Sequence, residues 1–224
     1  MSNRLQGLLP VPPPSILYYT IPNNSVIGEI PPSICSSGSL QILDLSNYNL
    51  SGKGKQVEND QPQSEQVQVQ LPRSLANNSK LESLDVSEKR LIDVFPSLLL
   101  KLSELKVLIL RCNKFHGTIT TLKYLNVSTS FRFPKFLLPQ VYNYSMIMTN
   151  KGMEMVYERV QKEFIAIDIS SNRFQGEIAE CMGDLIGLHL LSFSHNFLNL
   201  VNLEAFNLSH KSQPALRGNS SATD

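Results

Sequence analysis

The chain has 224 residues, of which 42% are hydrophobic and 17% charged, and carries a formal net charge of +1. That is enough chain for one domain with a sizeable core, and the near-neutral balance excludes a bulk pull toward nucleic acid or anionic membrane. Three widely separated cysteines, Cys35, Cys112 and Cys181, contain no CxxC pair, which excludes a zinc cluster or a dense disulfide framework and leaves them as small buried hydrophobes.

The first seven residues hold no apolar core of an export signal, and no apolar run approaches the ~20 residues of a membrane span, so neither feature is expected within this chain. Asn3 to Gly7 and Asn24 to Pro31 read as the ends of two repeats, and Leu40 to Gly52 as a fuller copy, giving repeats over 1–52. A polar, apolar-poor insertion follows at 53–70 and is expected to be a disordered loop. Repeats resume over 71–130, with Leu81 to Leu91, then Leu105 to Ile119 as LxxLxLxxNxFxGxI, then a degenerate copy from Leu122 that puts Ser130 at the asparagine position. The period fails over 131–163. It returns over 164–211, with Phe164 to Ile178, Leu188 to Leu198 and a last copy at Leu203 to Lys211, before a polar tail at 212–224.

One period runs through the better copies: Asn24 to Tyr48, Lys89 to Asn113, and Asn172 to Asn196 are each 24 residues. A repeat of 20–29 residues with this pattern is the leucine-rich repeat. The expected fold is therefore a right-handed α/β-type solenoid, with a parallel sheet on its concave side and 3₁₀ or irregular segments on its convex side. Alternate leucines of LxL point inward and need a stacked neighbour to be buried. The asparagine can serve backbone donors and acceptors where the chain leaves the strand. The glycine permits a tight bend that a Cβ would obstruct.

The intervening strand residues face outward, and the concave surface of a solenoid is its usual binding face. The candidate ligand-facing positions are thus Val107, Ile109 and Arg111, then Ala166, Asp168 and Ser170, then Leu190, Ser192 and Ser194. Asp44, Asp85 and Asp168 recur in phase as a ladder on that side, read as structural or binding groups rather than an acid–base pair. No catalytic constellation, metal-ligand spacing or cofactor motif emerges, so a non-enzymatic binding module is expected. Basic residues are scattered, and nucleic acid is not an expected partner.

The motifs Leu43 to Gly52, Leu108 to Ile119 and Ile167 to Ile178, with the GxIP ending at Gly28-Glu29-Ile30-Pro31, resemble plant extracellular leucine-rich repeats. Tyr142, eight residues, then Lys151-Gly152 resembles the island motif of the plant receptor-like proteins. The resemblance covers most of the chain apart from Lys53 to Val69 and the last dozen residues. It implies an ectodomain segment at the plasma membrane or cell exterior, in defence or development. A protein or peptide ligand, receptor-like kinase co-receptors and island residues Tyr142, Lys151 and Gly152 come with that resemblance.

Seven Asn-x-Ser/Thr sequons, at Asn23, Asn49, Asn77, Asn126, Asn143, Asn207 and Asn219, read as secretory ancestry with N-glycosylation. Departures from the repeat are marked. Tyr48, Lys89, Ser130 and Lys211 stand at asparagine positions, and each buried backbone group left unpaired costs about 1–3 kcal/mol. A soluble secreted decoy or inhibitor, and a truncated receptor remnant without function, stand as alternatives.

Overall fold

The computed structural model describes residues 6–21, 25–27, 29–46, 70–119, 141–142, 145–158, 160–161, 164–177 and 188–199. Six three-residue strands build one parallel sheet in the order Tyr18–Thr20, Ile42–Asp44, Ser83–Asp85, Val107–Ile109, Ala166–Asp168 and Leu190–Ser192. Pairing is in register, so the middle residues Tyr19, Leu43, Leu84, Leu108, Ile167 and Leu191 form one row pointing into the solenoid. Leu45, Val86, Leu110 and Ile169, two residues on, join the same core. This is the inward half of the LxL alternation.

Two irregular spacings are absorbed between strands. Ile42–Asp44 pairs directly with Ser83–Asp85, so the 53–70 insertion adds no strand to the sheet order between them. Val107–Ile109 likewise pairs directly with Ala166–Asp168. The degenerate copy at 122–130 and the last copy at 203–211 lie outside the described residues, as do 53–69 and the tail.

On the convex side, 3₁₀ turns span Pro32–Ser36, Arg73–Asn77 and Ser97–Lys101. Each follows a proline (Pro31, Pro72, Pro96), whose missing N–H is harmless where a helical turn begins. Leu75, Leu99 and Ile34 from these turns fill the core opposite the sheet. Phe174 sits between Phe115, whose ring is stacked at 6.3 Å, and Phe95, edge-on at 6.0 Å. The three rings lock successive coils together.

Between sheet and convex side the chain runs through short parallel pairings. Gln6–Leu8 pairs with Ser25–Ile27, and Arg173–Glu177 pairs with both His116–Gly117 and Phe197–Asn199. Gly7, Gly117 and Gly176 of the repeat all have φ between +85° and +98°. A Cβ at Gly7 would meet nothing within 4 Å. The positive-φ backbone conformation is therefore what demands glycine there, in keeping with the tight bend expected of the repeat glycine.

The asparagine ladder is the clearest local mechanism. Asn113 accepts from the backbone N–H of Lys89 and Leu91 through Oδ1, at 3.1 and 3.0 Å. Its Nδ2 donates to the carbonyls of Val86, Leu110 and Arg111. Asn172 and Asn196 repeat the pattern one and two coils on, accepting from Phe115 and Phe174. Cys112, Ser171 and His195, each just before such an asparagine, have φ between +52° and +56°. A non-glycine residue there costs roughly 1–2 kcal/mol, and the side-chain bonds from the next position offset it. Glu88, before Lys89, has the same conformation at +59°. Tyr48 lies outside the described residues. Around Lys89 the backbone N–H groups of Lys89 and Leu91 and the carbonyl of Val86 are held by Asn113 of the next coil.

Candidate functional site: the covered concave face

The segment after the fourth described sheet strand forms a β-hairpin. Met146–Asn150 pairs antiparallel with Met153–Tyr157, and Val141–Tyr142 pairs with Val160–Gln161 at its base. Asn150-Lys151-Gly152-Met153 is the turn. Lys151 and Gly152 both have positive φ, +51° and +79°, as the two-residue hairpin turns matched to strand twist require. The Lys-Gly of the island motif is thus a turn device. Tyr142 stands in the base pairing opposite Val160, at the other end of the ribbon, so the structure does not bring the three motif residues together.

The hairpin lies on the concave sheet. Met146, Met148 and Val160 form one apolar cluster with Ile42, Val107, Ile109, Ala166 and Leu190, from the outward rows of the sheet. Burial of a methionine side chain is worth about 1.5–3 kcal/mol, so these contacts dominate the docking. Polar anchors flank them. The backbone N–H of Thr149 donates to Asp168 Oδ2, and the Ser170 hydroxyl lies 2.8 Å from that of Thr149 while donating to Asp168 Oδ1 at 2.6 Å. At the other flank the Arg111 guanidinium donates through Nη1 to Glu154 of the hairpin and through Nη2 to Glu88 at 2.9 Å.

The candidate ligand-facing residues therefore meet a different fate from the one expected. Val107, Ile109, Ala166, Asp168 and Ser170 are fully buried and Arg111 is 1% exposed, beneath the hairpin rather than open to a ligand. Leu190 and Ser192 are buried too, and Ser194 is half-buried. The outer strand of the hairpin is what faces outward: Met153, Met155 and Val156 are exposed.

The aspartate ladder has a structural task in each coil. Asp44, Asp85 and Asp168 accept at Oδ1 from the backbone N–H two residues on, in Ser46, Ser87 and Ser170, at 2.9, 2.9 and 3.0 Å. All three are buried. Asp44 and Asp85 are register partners, so their like charges sit side by side. Burial first, and the Asp44 charge second, push Asp85 up to about 7, against the opposing bonds from Ser87 and the Arg111 charge. Burial likewise raises Asp44. Lys89 is buried beside them, and loss of hydration lowers it to about 7 against the pull of Asp85, Asp44 and Glu88.

Burial works against the charge on Arg111, but its Glu154 and Glu88 partners more than restore it and raise its pKa. Glu88, Cys112 and Glu154 bring ligand-type atoms within 4.8 Å of one another. The Arg111 guanidinium already bonds both carboxylates and supplies the positive charge a metal would bring. Cys35 is a buried free thiol and Cys112 a half-buried one, while Cys181 lies outside the described residues. Of the seven sequons, Asn77 is within the described residues as an exposed residue closing a convex 3₁₀ turn; Asn23, Asn49, Asn126, Asn143, Asn207 and Asn219 lie outside them.

Sequence reasoning missed Met146, Met148, Thr149, Glu154 and Lys89 as parts of this site. A signal was present: Met-Ile-Met-Thr-Asn and Met-Glu-Met-Val-Tyr separated by Lys-Gly is a hairpin pattern.

No family model matches the chain. In sequence it is 33% identical over 212 residues to Receptor-like protein 18 of Arabidopsis thaliana, covering 79% of this chain and 26% of that protein. It is 32% identical over 240 residues to Receptor-like protein 33 of the same plant, covering 80% and 27%. The chain thus spans about a quarter of the length of these relatives. In structure it is similar to the leucine-rich-repeat ectodomain of the Arabidopsis thaliana receptor kinase GASSHO1/SCHENGEN3 in complex with CASPARIAN STRIP INTEGRITY FACTOR 2 (TM-score 0.56, 20% identity, 88% of this chain and 18% of that one). It is also similar to Arabidopsis HAESA in complex with the peptide hormone IDA and the co-receptor SERK1 (TM-score 0.53, 22% identity, 92% and 31%). These likenesses show the leucine-rich-repeat fold.

Proposed function

We propose, from the premise that this chain is a leucine-rich-repeat solenoid homologous to a part of the plant receptor-like proteins, that it is a non-enzymatic recognition module for a protein or peptide ligand. The observation that carries this reading is the hairpin 146–157 seated on the concave sheet, with Met153, Met155 and Val156 exposed on its outer strand. Exposed methionines and an aliphatic side chain on an ordered ribbon suit an apolar partner surface. The ligand contacts are then the outer strand and the turn at Lys151-Gly152, with the half-buried Ser194 at the flank. The deeper concave positions support the hairpin from beneath.

Signalling through a receptor-like kinase co-receptor at the cell surface belongs to the same proposal. Its motivation is the homology and the solved HAESA assembly with SERK1. N-glycosylation at Asn77 accords with it, since that side chain is exposed on the convex side, away from the hairpin. Among the described residues no helix is long and apolar enough to cross a membrane.

The test is direct binding. The purified chain is immobilised and exposed to fractionated extracellular peptides from plant tissue and, separately, to the SERK1 ectodomain. Saturable binding that is lost when Met153, Met155 and Val156 are changed together to serine supports the reading. Binding unaffected by that triple variant, or no saturable binding at micromolar concentrations, overturns it.

A further inference from the structure

The hairpin stands with one edge against the concave sheet and the other toward solvent. Register pairs Asn150 with Met153 around the two-residue turn, and a closing pair of that kind exchanges both its hydrogen bonds. The next pair, Thr149 with Glu154, is then a non-hydrogen-bonded one, and the backbone groups of both residues point away from the opposite strand. Thr149 uses its N–H accordingly, donating to Asp168 of the sheet below. On the outer strand the same alternation turns the N–H and C=O of Glu154 and Val156 outward. Among the described residues no strand pairs with that edge and no backbone group bonds it.

The faces of this strand are as open as its edge. Met153 is 66% and Val156 63% exposed, and Glu154 and Met155 between them are exposed as well. Devices that commonly blunt an edge are missing: Met153–Tyr157 holds no proline, and its register runs without a bulge.

We propose, resting on the recognition reading above, that the free edge at Glu154 and Val156 takes its protein ligand by strand addition. The ligand is an extended peptide segment that alternates apolar and basic side chains. Main-chain bonds to Glu154 and Val156 hold it, and its side chains are sorted by the two faces of the strand. Met153 and Met155 share one face and call for apolar neighbours. Glu154 lies on the other face, and the exposed Glu158 follows just past the strand. The Arg111 guanidinium is divided between Glu88 and Glu154, so that group keeps one negative charge in excess, to which Glu158 adds. A lysine or arginine of the ligand complements them. A second copy of this chain fits the edge less well. Two-fold pairing through Glu154 and Val156 centres on Met155 and sets the two copies of Glu154 diagonally across the strands, like charge against like.

The probe is a short blocked peptide alternating valine and lysine, passed over the immobilised full chain. Saturable binding at micromolar concentrations is expected. Val156→Pro removes an outward N–H and none of the hairpin's own bonds, and should weaken binding about tenfold while the amides of Met148 and Met155 keep their exchange protection. The same peptide methylated at every backbone amide should not bind, and one with glutamate for lysine should bind at least about tenfold more weakly. Equal binding of the methylated or the glutamate peptide, or no binding of the lysine peptide, overturns the proposal. A dimer of the unaltered chain that Val156→Pro dissolves also overturns it, by giving the edge to a second copy. The triple serine variant keeps the outward N–H of residue 156. Capture of plant peptides that is lost in that variant and intact in Val156→Pro would therefore leave the recognition surface standing and strike strand addition alone.

Discussion

The coil stack and the hairpin are held by different physics. In the stack the coils repeat the same arrangement: inward leucines buried against neighbours and, at Asn113, Asn172 and Asn196, a side-chain amide stitching four or five backbone groups of two coils. The hairpin borrows its stability from beneath, through Met146 and Met148 and two polar anchors. The stack should therefore unfold cooperatively as neighbour interactions fail, while the hairpin can separate without it.

The sharpest way to break the stack is at its ring column. Phe174→Ala removes a fully buried ring packed between Phe95 and Phe115, and should destabilise the chain by about 3–5 kcal/mol in thermal or urea unfolding. Asn113→Ala comes next, at about 3 kcal/mol in the same measurement, because it strips partners from Lys89, Leu91 and Val86 in the neighbouring coil as well as its own. Met148→Ala should register differently. About 2 kcal/mol of docking is lost, seen as faster amide exchange in 146–157 with little change in the amides of 107–110. A matching global loss in the melt would show that hairpin and stack form one cooperative unit.

The pH dependence sharpens the same contrast. Asp85 titrates near 7 when folded and near its ordinary 3.8 when unfolded, so the folded state binds the extra proton. Its contribution to stability is complete below about pH 4 and is lost as pH rises toward 7. The melting temperature of Asp85→Asn should lack that decline. The smallest effect belongs to Met153→Ser, on the exposed strand, which should leave stability within about 0.5 kcal/mol while weakening ligand capture.

Legibility in the sequence followed the range of the interactions involved. The period, the inward row of Leu43, Leu84, Leu108 and Ile167, and the roles of Asn113, Asn172 and Asn196 were all readable, since each rests on spacing within one repeat and its copy in the next. The lost asparagine at Lys89 was read as damage. In the fold it is a buried lysine beside Asp44 and Asp85, because only strand register makes those two carboxylates neighbours across a 41-residue interval. The outward positions Val107, Ile109, Arg111, Asp168 and Ser170 were correctly read as facing away from the solenoid core, but not as covered. Nothing in a repeat's own pattern records what lies over it.

The sequence by itself determined a leucine-rich solenoid, because burying alternate leucines at a fixed period leaves no other economical arrangement. It also carried the turn at Lys151-Gly152, where a primed hairpin demands residues able to take positive φ. Only the tertiary structure decided that the hairpin folds back onto the sheet, that Arg111 is shared between Glu88 and Glu154, and that the open surface moves to Met153, Met155 and Val156. Those outcomes depend on contacts between residues some 20 to 110 positions apart, and such contacts are set by the path of the chain rather than by any local pattern.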